Sequence, residues 1–432
     1  MTPEVKERIA QIRRGEVPEG YKKRKRYIFP VSWNGMTLGN ICSKIGSGKT
    51  PKGGEKTYTI SGIPFIRSQN VLNGTMDISE IKHIDTSTFR EMAGSAVYKN
   101  DILLNITGAS IGRCCIVKDE LCPANVNQHV CIIRFDEKQA NRQFVMNCLL
   151  SEQLGQFQIN SYQAGGNREG LNFQQVSKIW MPCPPIPEQQ RIASILSTQD
   201  KVIELKEKLL EEKKQQKKYL MQQLLTGKKR LPGFSGEWKE VRLNQFLKER
   251  KEENIEQKLR ICSVAVKEGV VDQIEHLGRS FAAKNTSNYG VAYNGDIIYT
   301  KSPTGDFPYG IIKQNHLKER VAISPLYGIY KPVSFALGYI LHTYFSNPIN
   351  TRNYLYPIVQ KGAKNTINIT NKVFISNTLY LPLSLSEQEA IAEVFSTADH
   401  EIELLQKSIE AEKQKKKALM QLLLTGIVRV QV

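Results

Sequence analysis

Histidine and tryptophan are scarce in this chain, at six and three residues in 432, and its eight cysteines form no C-x-x-C pair. Seven of the cysteines (Cys42, Cys114, Cys115, Cys122, Cys131, Cys148, Cys183) lie in the first half and only Cys262 in the second. No Cys/His group has zinc-site spacing and no disulfide framework is legible, so buried free thiols are expected. No run approaches the roughly 18–20 uncharged apolar residues of a membrane span. The opening residues, MTPEVKERIAQIRRGEVPEGYKKRKRY, are basic but lack an apolar core and a small-residue cleavage site. A secretory signal is therefore excluded and a cytoplasmic location without membrane contact is expected. Acidic residues are outnumbered by basic ones, 42 to 60, for a formal charge of +18. That balance favours a polyanionic partner, because neutralised phosphates release counterions.

Catalytic motifs are also missing. Gly46-Ser47-Gly48-Lys49-Thr50 ends like a nucleotide-binding P-loop, but Ser43 stands where the first glycine is needed and Pro51 follows at once. The helix that should receive the phosphates cannot start there. Cys183-Pro184-Pro185-Ile186 has the Pro-Pro of an amino-methyltransferase motif without the polar first residue or the aromatic last one, which would bind and stack a flipped base. No acidic cluster of nuclease type and no Ser/His/Asp arrangement is present. Neither catalytic nor metal-binding residues are expected.

What the chain does have is a long internal repeat. Residues Pro187–Gly227 and Ser386–Gly426 align without a gap, 199 residues apart, with 23 of 41 positions identical. Each copy reads as one helix of roughly 60 Å at 1.5 Å per residue, with no internal Pro or Gly. Pro187 suits a first turn, Ser386 with Glu389 forms a capping-box pattern, and Gly227 and Gly426 suit left-handed C-terminal caps. Apolar residues recur at three- and four-residue steps, including Leu205, Leu209, Leu220 and Leu224 in the first copy. Leu405, Ile409, Leu419 and Leu423 do so in the second. These eight are the expected partner-binding positions, and the pattern is that of a coiled-coil seam. The simplest pairing is antiparallel, copy against copy, giving internal pseudo-twofold symmetry.

Weaker echoes extend the repeat: Trp33-x4-Leu38 with Trp238-x4-Leu243, Tyr98-x-x-Asp101-Ile102 with Tyr293-x-x-Asp296-Ile297, and Gly166-x4-Leu171-Asn172 with Gly362-x4-Ile367-Asn368. The expected organisation is a basic extension (1–30), a head (31–184), a helix (185–227), a second head (228–384), and a second helix with a tail (385–432). The heads read as mixed α/β. Strands are predicted at Ile63–Arg67, Ile102–Thr107, Cys114–Lys118 and Val130–Phe135, then at Leu259–Val266, Asp296–Lys301 and Tyr327–Lys331. Helices are predicted at Asn141–Leu154 and Phe335–Ser346. Between them lie loops rich in Gly, Lys, Arg, Asn, Gln, Ser and Thr. Arg and Lys pair with guanine edges, Asn and Gln with adenine, and glycine lets backbone approach phosphate. On that chemistry the candidate DNA-binding residues of the first head are Lys49, Thr50, Arg67, Gln69, Asn70, Thr107, Ser110, Arg113, Asn167 and Arg168. Those of the second are Lys301, Thr304, Lys361, Lys364 and Asn365.

Several landmarks together resemble the specificity subunits of type I restriction–modification systems. They are Trp33-x4-Leu38, Gly48-Lys49-Thr50-Pro51, Ile63-Pro64-Phe65-Ile66-Arg67, Asp101-Ile102-Leu103-Leu104-x-x-Thr107-Gly108 and Pro184-Pro185-Ile186-Pro187-Glu188-Gln189-Gln190-Arg191-Ile192-Ala193. The paired Leu-Leu-Thr-Gly helix ends belong with them, and the likeness runs from about Trp33 to Gly426. The resemblance implies two target-recognition domains, each reading half of a bipartite site on double-stranded DNA. It implies that two modification (methyltransferase) subunits dock on the helices and that restriction (endonuclease) subunits join them. S-adenosylmethionine would sit in the modification subunit, and ATP and Mg in the restriction subunit, leaving this chain without a cofactor. The second head departs from the pattern: Gly305-Asp306-Phe307-Pro308-Tyr309-Gly310 replaces the tighter Gly108–Gly112 loop, and Pro382-Leu383-Ser384-Leu385 lacks the Pro-Pro. The alternative is a stand-alone DNA-binding architectural or regulatory protein on the same scaffold.

Overall fold

The computed structural model describes residues 2–163, 170–278, 285–361 and 367–431; the side chains of residues 277, 360, 361, 367 and 368 lie outside that description. The chain divides into two compact units, residues 1–206 with 408–432, and residues 207–407. Both boundaries fall inside the long helices, Ile186–Leu224 and Leu385–Leu424.

The two units repeat one topology. In the first, a four-stranded sheet runs in the order Cys42–Ser47, Val130–Phe135, Ile102–Asn105, Cys114–Ile116, and a second in the order Lys82–Ile84, Ile63–Ile66, Ala124–Val126, Ala96–Val97. In the second unit the corresponding orders are Leu247–Glu249, Gly328–Pro332, Ile297–Tyr299, Ile312–Gln314, and Gly269–Asp272, Arg260–Ala265, Val321–Ile323, Gly290–Ala292. The single parallel pairing recurs at the same place, Ile63–Ile66 with Ala124–Val126 and Arg260–Ala265 with Val321–Ile323.

The central strands read as unbroken apolar runs because both of their faces are covered. Along Ile102–Asn105, Ile102 and Leu104 enter one core and Leu103 the other, as strand alternation requires. The second unit repeats this, Ile297 and Tyr299 joining one cluster and Ile298 its neighbour. Each strand predicted above has an observed counterpart within two residues at each end, as does the helix Phe335–Phe345. The helix predicted over 141–154 is instead two, Arg142–Leu150 and Gly155–Gln163. Gly155 marks the break, since a Cβ there would lie 2.4 Å from the Leu149 carbonyl oxygen.

The first long helix begins one residue before Pro187, and the second begins two residues earlier than an N-cap at Ser386 requires. Ser386 therefore lies inside the first turn and caps nothing, with Gln388 N donating to the Ser384 carbonyl instead. Gly227 and Gly426 take the left-handed cap conformation, φ +68° and +71°.

A three-residue clamp closes each unit. Glu188, in the first turn of the first long helix, is 2% exposed; it accepts from Trp33 Nε1 at 3.0 Å and is gripped at both oxygens by Arg429, at 2.6 and 2.8 Å. Glu387 does the same with Trp238 (3.1 Å) and Arg230 (2.5 and 2.6 Å). Both carboxylates sit where a helix N-terminus favours negative charge. The arginines sit 199 residues apart, like the helices.

Of the eight thiols, Cys114, Cys115, Cys131, Cys148 and Cys262 are buried and Cys42, Cys122 and Cys183 are half-buried; all are free. Burial pushes Cys115 and Cys131 up to about 12, which keeps them as inert thiols. Among the described residues no helix is long and apolar enough to cross a membrane.

Candidate nucleic-acid interface

In the first unit four loops meet at one end of the two sheets. Asn105, the last residue of its strand and fully buried, donates to the Ser68 carbonyl (2.8 Å) and to Ser110 Oγ (3.1 Å). It thereby ties the 67–70 turn to the 107–113 loop. Thr107 Oγ1 bonds His129 Nδ1, whose ring also meets Gln128 Nε2 at 3.1 Å, and Thr50 Oγ1 donates to Gln128 Oε1 at 2.6 Å. Gly48 lets the 48–52 segment lie on this group: a Cβ there would fall 1.6 Å from the Val126 carbonyl oxygen. No helix follows Thr50 before the short turn at Gly54–Thr57.

The structure thus brings Lys49, Thr50, Arg67, Gln69, Thr107 and Ser110 together, with Lys49, Thr50, Gln69 and Arg113 exposed. Arg67 Nε is buried without a partner among the described residues. Asn70 must be corrected. It is 2% exposed, its Oδ1 accepts from Arg67 N and its Nδ2 donates to the Asp77 carbonyl, so it shapes the turn and has no edge free for a base. Asn167 and Arg168 lie outside the described residues. Gln128 and His129 were missed by sequence reasoning. Their signal was a Gln-His pair between two apolar strands, too short to register as a loop.

In the second unit Lys301 sits at φ +60°, held by the close approach of Gly310, where a Cβ would lie 2.8 Å from Lys301 N. Burial lowers the Lys301 ammonium below the usual lysine range, and Glu249 opposes that shift. Thr304 is exposed and closes a tight turn, its N–H donating to the Phe307 carbonyl at 3.0 Å and its carbonyl accepting from Phe307 N at 2.9 Å. Lys361 is described only in its backbone, which pairs with Ile367. Lys364 and Asn365 lie outside the described residues.

Asp101 and Asp296 recur for a structural reason. Each is nearly fully buried, accepts from the backbone N–H three residues before it (Tyr98, Tyr293), and pairs with an arginine at 2.6 Å. That arginine, Arg134 or Arg250, lies over the same tyrosine ring. Arg134 lies within the strand Val130–Phe135, whereas Arg250 directly follows the strand Leu247–Glu249.

The partner-binding residues on the helices divide. Leu205 and Leu209 are 53% and 43% exposed, and Tyr219 further along the same helix is 53% exposed, so these point away from any helix seam. Leu224 and Leu423 must be corrected, because each is buried in the core of its own unit. Leu220 and Leu419 pack against those same cores, Leu405 is half-buried, and Ile409 is 6% exposed. Within the first unit the helical segments run antiparallel: Asp200 pairs with Lys416 (2.5 Å), and Lys206 with Glu412 (2.8 Å). Glu412, which also accepts from Gln199, is held down to about 2, chiefly by the Lys206 hydrogen bond. Within the second unit Lys213 meets Glu401 at 2.7 Å, and Lys217 meets Asp399. Among the described residues no group of three or more His, Cys, Asp or Glu is placed to hold a metal.

Two α/β heads of one topology, joined to long helices that share 23 of 41 positions and differing in their loops, define a duplicated recognition scaffold. Residues 30–215 match the family described as the type I restriction modification DNA specificity domain. The type I restriction enzyme MjaX specificity subunit of Methanocaldococcus jannaschii is 25% identical over 438 residues, 95% of this chain and 97% of that protein. The EcoBI specificity subunit of Escherichia coli is 27% identical over 170 residues, 39% of this chain and 35% of that one. Among solved structures, the type I S subunit from M. genitalium superposes with a TM-score of 0.57 at 12% identity, covering 93% of this chain and 98% of that one. A chain from a study of complex assembly and conformational transition of the type I R-M system gives 0.54 at 16%, covering 93% and 100%. Residues 30–215 thus carry the match to the type I specificity domain, and nearly the whole chain is similar to a type I specificity subunit.

Proposed function

We propose that this chain is the non-catalytic, DNA-reading subunit of a type I restriction–modification complex in the cytoplasm. The observation that carries the reading is the duplication itself: the same sheet orders and the same clamps are built twice, under loops that differ. A protein that reads two different half-sites needs this combination of constant frame and variable contacts. In this reading each unit's loops read one half of a bipartite duplex target. Exposed Lys49 and Arg113 suit phosphates and guanine edges, Gln69 suits adenine, and Arg67 Nε is a buried donor for a ligand to satisfy.

The antiparallel ion pairs within each unit support the inference that the long helices form one antiparallel coiled coil about a pseudo-twofold axis. Its length would then set the unread spacer between half-sites. The exposed Leu205, Leu209 and Tyr219 are the docking positions proposed for modification subunits, two per complex, with restriction subunits joining them. S-adenosylmethionine is assigned to the modification subunit and ATP with Mg to the restriction subunit, none to this chain. The deciding experiment is single-molecule sequencing of host DNA for methylated bases, with and without the gene. Loss of one bipartite motif on deletion is expected; an unchanged map with the methyltransferase expressed would refute the role.

A further inference from the structure

The residues before Trp33 have no part in the reading above. They form a helix, Pro3–Arg13, and a hairpin, Tyr21–Arg24 with Tyr27–Pro30. The second unit has no strand between the end of its long helix segment at Leu224 and Trp238, so a head of this topology closes without such a hairpin. The hairpin is nevertheless anchored firmly. Tyr21 OH donates to the Gly426 carbonyl at 2.6 Å, Arg8 to the Ile427 carbonyl at 2.6 Å, and Phe29 is buried against the Trp180 ring.

Its tip is almost wholly cationic. Lys23, Arg24, Lys25 and Arg26 are all exposed, and among the described residues none of them forms an ion pair. The register pairs Arg24 with Tyr27, leaving Lys25-Arg26 as a two-residue turn, and Lys25 takes φ +54°. A turn of this length prefers glycine or asparagine at such a position. A lysine held there places charge at the tip at the expense of local ease, the kind of outlier that points to a function.

The arginines are also preset. Arg26 lies 3.4 Å from the centroid of the Phe157 ring and Arg24 lies 5.0 Å from that of Trp180. A guanidinium laid on an aromatic face keeps its N–H edge free and fixed in plane, the geometry that takes phosphate oxygens two at a time. The two arginines border a cleft of about 570 Å³ to which Lys178, Ser161, Tyr162 and Thr37 contribute ammonium and hydroxyl groups, with no carboxylate on its wall.

We propose that the Tyr21–Pro30 hairpin grips the phosphodiester backbone of duplex DNA outside the target, independently of sequence. The proposal rests on the DNA-reading role above. A carboxylate-rich protein surface would also meet the charge. The fixed guanidinium forks and the absence of apolar side chains at the tip favour phosphate.

The test compares wild type with Lys23→Gln/Arg24→Gln/Lys25→Gly/Arg26→Gln, each assembled with its modification subunits, by equilibrium binding from low to moderate salt. The probes are a duplex carrying the methylated motif with flanks, an equally long scrambled duplex, and the motif trimmed of its flanks. Each lost phosphate contact lowers the slope of log K against log salt by about 0.9, so a drop of about 2 to 4 is expected on both flanked duplexes, with their affinity ratio unchanged. The trimmed duplex should show less than half that drop. Arg24→Lys/Arg26→Lys, which keeps charge and fold, should fall between. Wild type failing to prefer the motif would sink the DNA-reading role instead. Given that preference, an unchanged slope, a loss confined to the motif, or loss of complex assembly with an unchanged slope would each overturn the hairpin proposal, the last in favour of a protein partner.

Discussion

Replacing Arg429 with methionine should loosen the first unit and leave the second as it was. The change leaves Glu188 buried with only the Trp33 indole N–H as donor, after losing two short bonds from Arg429. Removing one member of a buried ion pair costs about 3–5 kcal/mol, because the abandoned charge stays desolvated. Arg429 is itself 42% exposed, which discounts the figure to about 2–3 kcal/mol. At 1.36 kcal/mol per factor of ten, amide exchange by local opening should speed up about 30- to 150-fold. Hydrogen-exchange mass spectrometry should find the change in peptides around Trp33–Thr37 and Trp180–Ile192, which meet at the clamp, and not around Trp238–Arg242 or Thr378–Ile391. Arg230→Met should give the mirror image, and the double variant the sum, since the two clamps share no residue. An increase below threefold, or one spread evenly over both units, would refute the assignment of closure to these clamps.

Gly48→Ala should abolish motif-specific DNA binding by at least tenfold while moving thermal stability by only about 1–2 kcal/mol, because it pushes the 48–52 segment off Val126; binding to target and scrambled duplexes checks it. Leu205→Glu/Leu209→Glu should leave DNA binding and folding intact but weaken co-purification with the modification subunit at least tenfold, since both side chains are exposed. Lys313 is 4% exposed and burial pushes its ammonium down to about 8. Between pH 8 and the unfolded value near 10.4, the unfolded chain then binds more protons, so this lysine's contribution to stability should rise with pH there. Lys313→Met should remove that rise, as denaturant midpoints across this range would report. Glu412 has the same sign at the acid end. Held near 2, it stabilises above the ordinary glutamate value of about 4.3 and loses that contribution as pH falls towards 2; Glu412→Gln should flatten that part of the acid-unfolding profile.

The long helices were legible because nothing in them contradicts a helix and because the sequence states them twice. The central strands were legible because burial on both faces leaves mainly apolar residues there. What periodicity could not separate was which leucine faces what. Leu205 and Leu224 occupy the same three-and-four pattern, yet one stands in solvent and the other plugs a head. The difference lies in where the helix meets its head, a tertiary fact absent from local spacing. Asn70 was misread for a related reason: a loop asparagine offers the same donors and acceptors to a base as to its own turn. Landmarks such as Tyr98-x-x-Asp101 were found as repeats but not as arginine clamps, because Arg134 follows its aspartate in sequence and Arg250 precedes its own.

The interrupted course of the first unit has a consequence for how the chain is made. Residues 207–407 are continuous and can close as soon as they emerge, whereas the first unit lacks residues 408–432 until all of the second has been made. At roughly 5–20 residues per second its core waits on the order of 10–40 s for Leu423, Leu424 and Arg429 to arrive. A nascent chain stalled anywhere in that interval presents a finished downstream half and an open upstream one. Loss of residues 423–429 would therefore injure the unit that was begun before the other.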